Sequence, residues 1–290
     1  MIVHMNCGLG NQMFQYAFGE AMRLNKGYNV EYDLGWFREK EKQGTKRNLD
    51  LAVFGIKLKE HKSSFKYDFN GKGVMKRISN KLYSLFIHPV VFERKICVYD
   101  SDLVDSIKEH SLIYGFFQNE DYFIKHEEYI RKTFEFKVPL TENAGNYLKY
   151  VSNPKAVALH VRRGDFLKYS NMGTCSLDYY ERAIKIIQER VDQPLFLIFS
   201  DDIDWVKKQD CFSRLNSVIV SGNKDEYAYE DLRLMSMCSH CIMANSTFSW
   251  WGAWLINNPT KIIIAPSRWF ANEEMNAQAR FITPSKWIRL

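Results

Sequence analysis

Several short segments of this chain combine residue types that bind anions or move protons, and each one follows a run of apolar residues. His160-Val161-Arg162-Arg163-Gly164-Asp165 closes the run 156–161. Two adjacent arginines at the end of an apolar strand are costly to bury unpaired, so they require a carboxylate or an anionic ligand. On a strand His160 and Arg162 share one face, and Val161 and Arg163 share the other. One arginine is expected to pair with Asp165. The other is then left for a phosphate, which a planar guanidinium holds through two hydrogen bonds. Asn245-Ser246-Thr247-Phe248-Ser249 follows the run 241–244 and opens a helix, where small polar groups and backbone amides can donate to phosphate oxygens. An ordinary helix cap would need only one of them.

Three further segments are open to more than one reading. Asn6-Cys7-Gly8-Leu9-Gly10-Asn11-Gln12-Met13 joins a strand to a helix, and its glycines let backbone amides approach an anion. A dinucleotide fingerprint would need a third glycine where Met13 stands, although Asp33 sits where a ribose-binding acid would. A tight turn with no ligand explains the same residues. Asp202-Ile203-Asp204 follows the run 195–200 and could hold a metal ion against a pyrophosphate, but acids that open a helix usually cap it, and capping is the reading we adopt. Glu230 and Asp231 precede the 241–244 strand. A carboxylate there could accept from the N1 and N2 hydrogens of guanine, or both could be solvated helix acids.

The elements that must position these groups read as α/β. Strand-like runs at 2–5, 28–33, 112–117, 156–161, 195–200, 217–220, 241–244 and 261–265 alternate with helical patterns at 12–25, 101–109, 119–133, 140–152, 176–192, 225–239 and 249–257. Leu177, Tyr180, Ile184 and Ile187 supply one apolar helical face. Such alternation predicts parallel sheets covered on both faces. Charged stretches at 38–47 and 66–95 interrupt the first half, and Asn153-Pro154 marks a boundary because proline disfavours helix in the residue before it. Two α/β domains are expected, 1–152 and 153–290, with a cleft between them.

Composition narrows the function classes. With 46% apolar and 15% aromatic residues, the chain has material for a core and is neither disordered nor fibrous. Its net charge, 40 − 34 = +6, is too dilute over 290 residues for a dedicated nucleic-acid binder. No run approaches the ~20 apolar residues that span a bilayer, and the chain opens on a strand-like segment, so an unexported cytoplasmic protein is expected. Six scattered cysteines then read as free thiols. Cys238-x-x-Cys241 lacks the further ligands of a zinc set, so no metal site is expected there.

Taken together, the arginine motif, Gly8-Leu9-Gly10-Asn11-Gln12-Met13-Phe14-Gln15-Tyr16-Ala17, Gly115-Phe116-Phe117-Gln118, Phe199-Ser200-Asp201-Asp202 and Asn245-Ser246-Thr247-Phe248-Ser249-Trp250-Trp251 resemble the bacterial α-1,2-fucosyltransferases of glycosyltransferase family 11. The resemblance covers nearly the whole chain, in order. It implies a GT-B-like fold of two Rossmann-like domains facing a cleft, with the acceptor on the N-terminal side and the donor on the C-terminal side. It also implies GDP-β-L-fucose as donor, inversion at the anomeric carbon, the 2-hydroxyl of a galactose as acceptor, and no metal or other cofactor. By position, Arg162 meets the donor pyrophosphate, His160 lies beside the nucleotide, and Asp231 is directed at guanine. Gly8, Gly10, Asn11, Gln12, Asn245, Ser246, Thr247, Phe248 and Ser249 complete the donor contacts, and Arg163 is left for Asp165. Animal relatives carry a membrane anchor that has no counterpart here, which implies a bacterial cytoplasm and a glycan acceptor of the O-antigen or Lewis type, carried on lipid in the former case.

The residues leave the catalytic base open. Asp165 is the nearest carboxylate, with His160 and Asp33 as weaker candidates. Two rival classes remain. An NAD-dependent oxidoreductase would use Gly8-Leu9-Gly10 and Asp33 but leaves the arginines idle, and a non-catalytic glycan binder would use Trp36, Trp250, Trp251 and Trp254 but not the phosphate motifs. Finally, 76–86 as a helix places Ile78, Leu82 and Leu85 on one face with Lys76, Arg77 and Lys81 at the flanks. That face either packs on the N-terminal domain or touches anionic lipid at the inner membrane.

Overall fold

The computed structural model describes residues 1–38, 47–62, 67–69, 73–168, 172–223 and 225–290. Most of the charged stretch 38–47, and part of 66–95, lies outside these. The chain forms two compact units, Met1–Ala52 with Ile56–Ile130, and Val53–Gly55 with Arg131–Leu290.

The first unit contains β1 (Ile2–His4), α1 (Leu9–Lys26), β2 (Glu31–Asp33), α2 (Val74–Phe86), β3 (Val90–Phe92), α3 (Ser101–Ser106), β4 (Leu112–Tyr114) and the start of α4 (Glu127–Thr133). Its sheet is parallel, in the order β2-β1-β4-β3. α1 buries Met13, Phe14, Ala17, Phe18 and Ala21, which recur at helical spacing, and Phe18 stacks on Phe117 with ring centroids 3.8 Å apart. Gly27 ends the helix at φ +71°, a left-handed cap that glycine adopts without strain, and Arg23 and Lys26 complement the dipole there.

The second unit contains α5 (Glu142–Gly145), α6 (Leu148–Val151), β5 (Ala156–Val161), α7 (Leu177–Arg190), β6 (Leu195–Ser200), α8 (Ile203–Lys207), α9 (Asp210–Ser213), β7 (Ser217–Ile219), α10 (Tyr229–Met237), β8 (His240–Ile242), α11 (Thr247–Leu255), β9 (Ile263–Ala265), α12 (Glu273–Ala279) and β10 (Ile288–Arg289). All its strand pairs are parallel, in the order β10-β9-β8-β5-β6-β7. Counted from β5 and read from the β7 edge, this is the doubly wound order 3-2-1-4-5-6. β5 is buried along its whole length, as a central strand covered on both faces must be. α7 packs Tyr180, Ile184 and Ile187 against it.

Two parallel sheets with covering helices bear out the α/β reading. The finer expectations shift in four places. Residues 131–152, expected with the N-terminal domain, pack with the second unit, because the Glu230 carboxylate accepts from the Thr141 amide at 3.0 Å and Arg233 donates to the Val138 carbonyl at 2.9 Å. The expected helix 119–133 is two 3₁₀ turns followed by α4, and 140–152 is the two short helices α5 and α6. The edge strands β3 and β10 have no counterpart among the expected strands. The apolar side of α2 does not pack on the first unit but faces solvent.

Candidate active site

β5 and β8 lie side by side, and the chain leaves them in opposite directions, β5 toward β6 and β8 toward β9. Ligands of such sheets bind beyond the carboxyl ends of the strands at this switch. His160 is the penultimate residue of β5, and its ring lies 6.1 Å from that of Phe248 in the first turn of α11, so the two loops of the switch meet. His160 is buried, and its Nδ1 has no partner among the described residues. Burial, aided by the Arg162 charge, lowers its pKa to about 3, so the ring is neutral. An imidazole that resists protonation this strongly is poorly matched to taking up a proton near neutral pH.

The arginine pairs differ from those expected. Arg162, not Arg163, holds Asp165: its Nη2 donates to Oδ1 at 2.6 Å, and its Nη1 lies 3.0 Å from Asp201 Oδ2. Arg162 Nε is buried with no partner among the described residues. Arg163 donates from its backbone amide to Asp201 at 2.9 Å and from Nε to Asp202 at 3.3 Å, and its guanidinium covers the Trp205 ring at 3.9 Å. The reason is local. The chain turns at Gly164, where a Cβ would fall 2.7 Å from Asp201 Oδ2, and the turn brings Asp165 back beside Arg162. Asp202 caps α8 by accepting from the Trp205 amide at 3.1 Å, as read from the sequence, and its second oxygen is engaged by Arg163.

At the other side of the switch, part of the polar motif is scaffold. Asn245 is buried and donates to the carbonyls of Gly173 at 3.2 Å and Trp269 at 2.9 Å. Ser249 donates to the Ala244 and Ser246 carbonyls, both at 3.2 Å. These two side chains are therefore not available to phosphate. Ser246 caps α11 by accepting from the Phe248 amide at 3.3 Å, and the positive end of that helix lies at the switch. Asp231 lies in the first turn of α10 and accepts from Asn223 Nδ2 at 2.8 Å. Burial, reinforced by neighbouring Glu230, outweighs that hydrogen bond and pushes its pKa up to about 7. Glu230 itself is fully buried and serves the fold.

In the first unit, the glycine-rich loop is braced by its glutamines. Gln12 donates to the carbonyls of Cys7 at 2.9 Å and Asn48 at 2.7 Å and accepts from the Asp50 amide at 2.9 Å, so its side chain is a strut rather than a donor ligand. Gln15 ties Asn6 to the Gly115 carbonyl, and Gln118 Nε2 donates to Asn11 at 3.0 Å, which joins the loops after β1 and β4. The left-handed residue of the turn is Cys7, at φ +64°, and Gly8 is extended with Gly10 already inside α1. Asp33 accepts from His4 Nδ1 at 2.7 Å and from the Gly35 amide at 2.9 Å, so both its oxygens are engaged. Trp250, Trp251 and Trp254 are buried together rather than offered to a sugar.

The sequence reading missed Asp201 as a partner of both arginines, and Glu93, which accepts from the Phe116 and Phe117 amides at 2.7 and 3.2 Å and is pushed up to about 7 by burial. Asp201 had a signal, since it directly follows β6. Glu93 had none.

Residues 104–290 match the model of glycosyl transferase family 11. The chain belongs to this family. It is accordingly a glycosyltransferase. An α-1,2-colitosyltransferase of Escherichia coli is 33% identical to it, with 100% of this chain and 98% of the relative aligned. The O-antigen biosynthesis glycosyltransferase WbnK of Escherichia coli is 28% identical, with 98% of each chain aligned. Galactoside α-(1,2)-fucosyltransferase 1 of Sus scrofa is 26% identical over 144 residues, which is 46% of this chain and 40% of the relative. The family match covers the whole second unit from Arg131 onward, including both arms of the switch.

Proposed function

We propose that this chain is an inverting, metal-independent transferase that moves L-fucose from GDP-β-L-fucose to the 2-hydroxyl of a galactose in a bacterial surface glycan. The observation that carries this reading is Arg162 at the switch of a doubly wound sheet, its buried Nε and the His160 Nδ1 both without a partner among the described residues. Oxygens of a donor pyrophosphate would satisfy the guanidinium, and the positive end of α11 would add to the field. Breaking the fucosyl–phosphate bond leaves negative charge on GDP. A guanidinium about 4 Å from that charge gains roughly 4 kcal/mol at an effective dielectric of 20, about a thousandfold in rate if the gain is confined to the transition state. Inversion follows from a single displacement by the acceptor hydroxyl on the opposite face of the sugar. Asp165, held by Arg162, would need to leave that pair to take the proton, so late transfer to water or to the departing phosphate is the simpler course.

The colitosyl specificity in the name of the 33% identical relative supports a second donor reading, colitose in place of fucose on the same nucleotide. Transfer from GDP-fucose, GDP-colitose and UDP-galactose to a galactosyl acceptor, each with and without EDTA, tests both readings. The expected result is a 1→2-linked product from a guanosine-linked donor, with EDTA making no difference. Transfer from the uridine donor alone, or activity lost in EDTA and restored by manganese, would overturn the proposal.

A further inference from the structure

α2 is mounted with its apolar side outward. At about 100° per residue, Val74, Met75, Ile78, Leu82, Leu85 and Phe86 fall within an arc of about 120°. All six are between 50 and 82% exposed. The opposite side holds the helix down. Tyr83 is buried with Ile2 and Leu112, Asn80 exchanges hydrogen bonds with the Asp68 backbone at 3.0 and 2.8 Å, Ser84 accepts from the Val90 amide at 3.3 Å, and Lys76 pairs with Asp68 at 2.8 Å. An amphipathic helix in a folded unit normally buries its apolar stripe and shows its polar one, and here the two are exchanged.

Charge on the helix decides among occupants. Residues 74–86 contain Lys76, Arg77 and Lys81 and no acidic residue. Arg77 and Lys81 border the apolar arc and have no ion pair among the described residues. The arc offers only aliphatic carbon, a thioether and one phenyl ring, with no hydrogen-bonding group to fix the register of a protein partner. An anionic bilayer needs no register, because it accepts apolar side chains below its headgroups and attracts cations at their level. No helix among the described residues is long and apolar enough to cross a membrane, and α2, about 20 Å long, is suited instead to lie in the interface.

We propose that α2 is a peripheral anchor that seats the first unit on an anionic lipid surface, with Val74, Met75, Ile78, Leu82, Leu85 and Phe86 in the acyl boundary and Arg77 and Lys81 at the phosphates. The proposal is independent of the donor and acceptor readings, since vesicle binding requires neither. The test is flotation of the full chain with vesicles of phosphatidylcholine containing 30% phosphatidylglycerol, against phosphatidylcholine alone. Binding is expected only to the anionic vesicles at low salt and is expected to fall as salt rises. R77Q/K81Q should weaken it about 25-fold, at about fivefold per cation, and L85S/F86S should abolish it. Both variants should melt no lower than the parent, because Arg77, Lys81, Leu85 and Phe86 are all exposed, away from the packed face. Absence of flotation at low salt, or flotation that L85S/F86S leaves intact, would overturn the proposal. So would a dimer in the parent that L85S/F86S makes monomeric while flotation is unchanged, because α2 would then cover a second copy.

Discussion

The Asp231 carboxyl offers the sharpest test of donor recognition, because its protonation is set by the fold and guanine would change it. An ordinary aspartate titrates near 4, and burial holds this one near 7, a difference of about three pH units or roughly 4 kcal/mol against ionisation. Guanine donates hydrogen bonds from N1 and N2, so it selects the ionised carboxylate and should expel the proton. The ionised fraction rises from about a tenth at pH 6 to about nine tenths at pH 8, so GDP affinity should rise about tenfold over that interval beyond any change seen with UDP. UDP is the control, since its phosphates titrate alike but its base donates no such pair. Calorimetry in buffers of different ionisation enthalpy should find close to one proton released by GDP near pH 6 and fewer at pH 8. Asp231→Asn should remove the extra pH dependence and weaken GDP by roughly 30-fold to 100-fold through loss of the charge-assisted pair. The sign for stability is opposite. A raised carboxyl pKa favours the ligand-free fold below about pH 4, and that contribution is lost as pH climbs through 7, so Asp231→Asn should be as stable as the parent in acid and more stable at pH 8. An affinity ratio of GDP to UDP that stays flat from pH 6 to 8 would refute the assignment.

What could be read from the sequence follows the range of the interactions. β5 and β6 were found to the residue because a central parallel strand is apolar along its length and ends where charge begins. β3 and β10 were missed because edge strands of two or three residues are defined by a distant neighbour's hydrogen bonds, Val90–Phe92 by β4 and Ile288–Arg289 by β9. The same division runs through the site. The cap of α8 by Asp202 is local and was legible. The pairing of Arg162 with Asp165 depends on how tightly the chain turns at Gly164, and that turn is constrained by Asp201, which follows the neighbouring strand β6. Motif residues were identified as a set, but motifs do not distinguish ligands from struts. Gln12, Asn245 and Ser249 belong to the second kind, since each spends its side chain on backbone groups that the fold would otherwise leave unsatisfied.

Two further predictions concern β5 and the arginines that follow it. His160 is neutral in the fold but binds a proton when unfolded below about pH 6.5, so stability should decline as pH falls from there toward 3, by up to about 1.4 kcal/mol per pH unit. His160→Gln should have a shallower acid limb in melts taken from pH 7 to 4, and identical limbs would show that the ring does not carry that cost. The second concerns Arg162, whose surroundings hold two guanidiniums and the carboxylates of Asp165, Asp201 and Asp202, a balance of 2 − 3 = −1. A pyrophosphate approaching this cluster gains nothing from its net charge, so its binding must depend on where the positive charge points. Arg162→Ala removes that direction and also leaves Asp165 and Asp201 without their shared cation, so it should lower both the melting temperature and turnover, the latter by about a thousandfold. Arg162→Lys keeps the charge without the fork, and should recover most of the stability but only part of kcat. Arg163→Ala supplies the contrast. It loses Asp202 and the Trp205 face, so it should melt earlier and still turn over within a few fold of the parent. Steady-state kinetics that place Arg162→Ala within tenfold of the parent, or Arg163→Ala more than tenfold below the parent, would show that the transition-state charge does not rest on Arg162 alone.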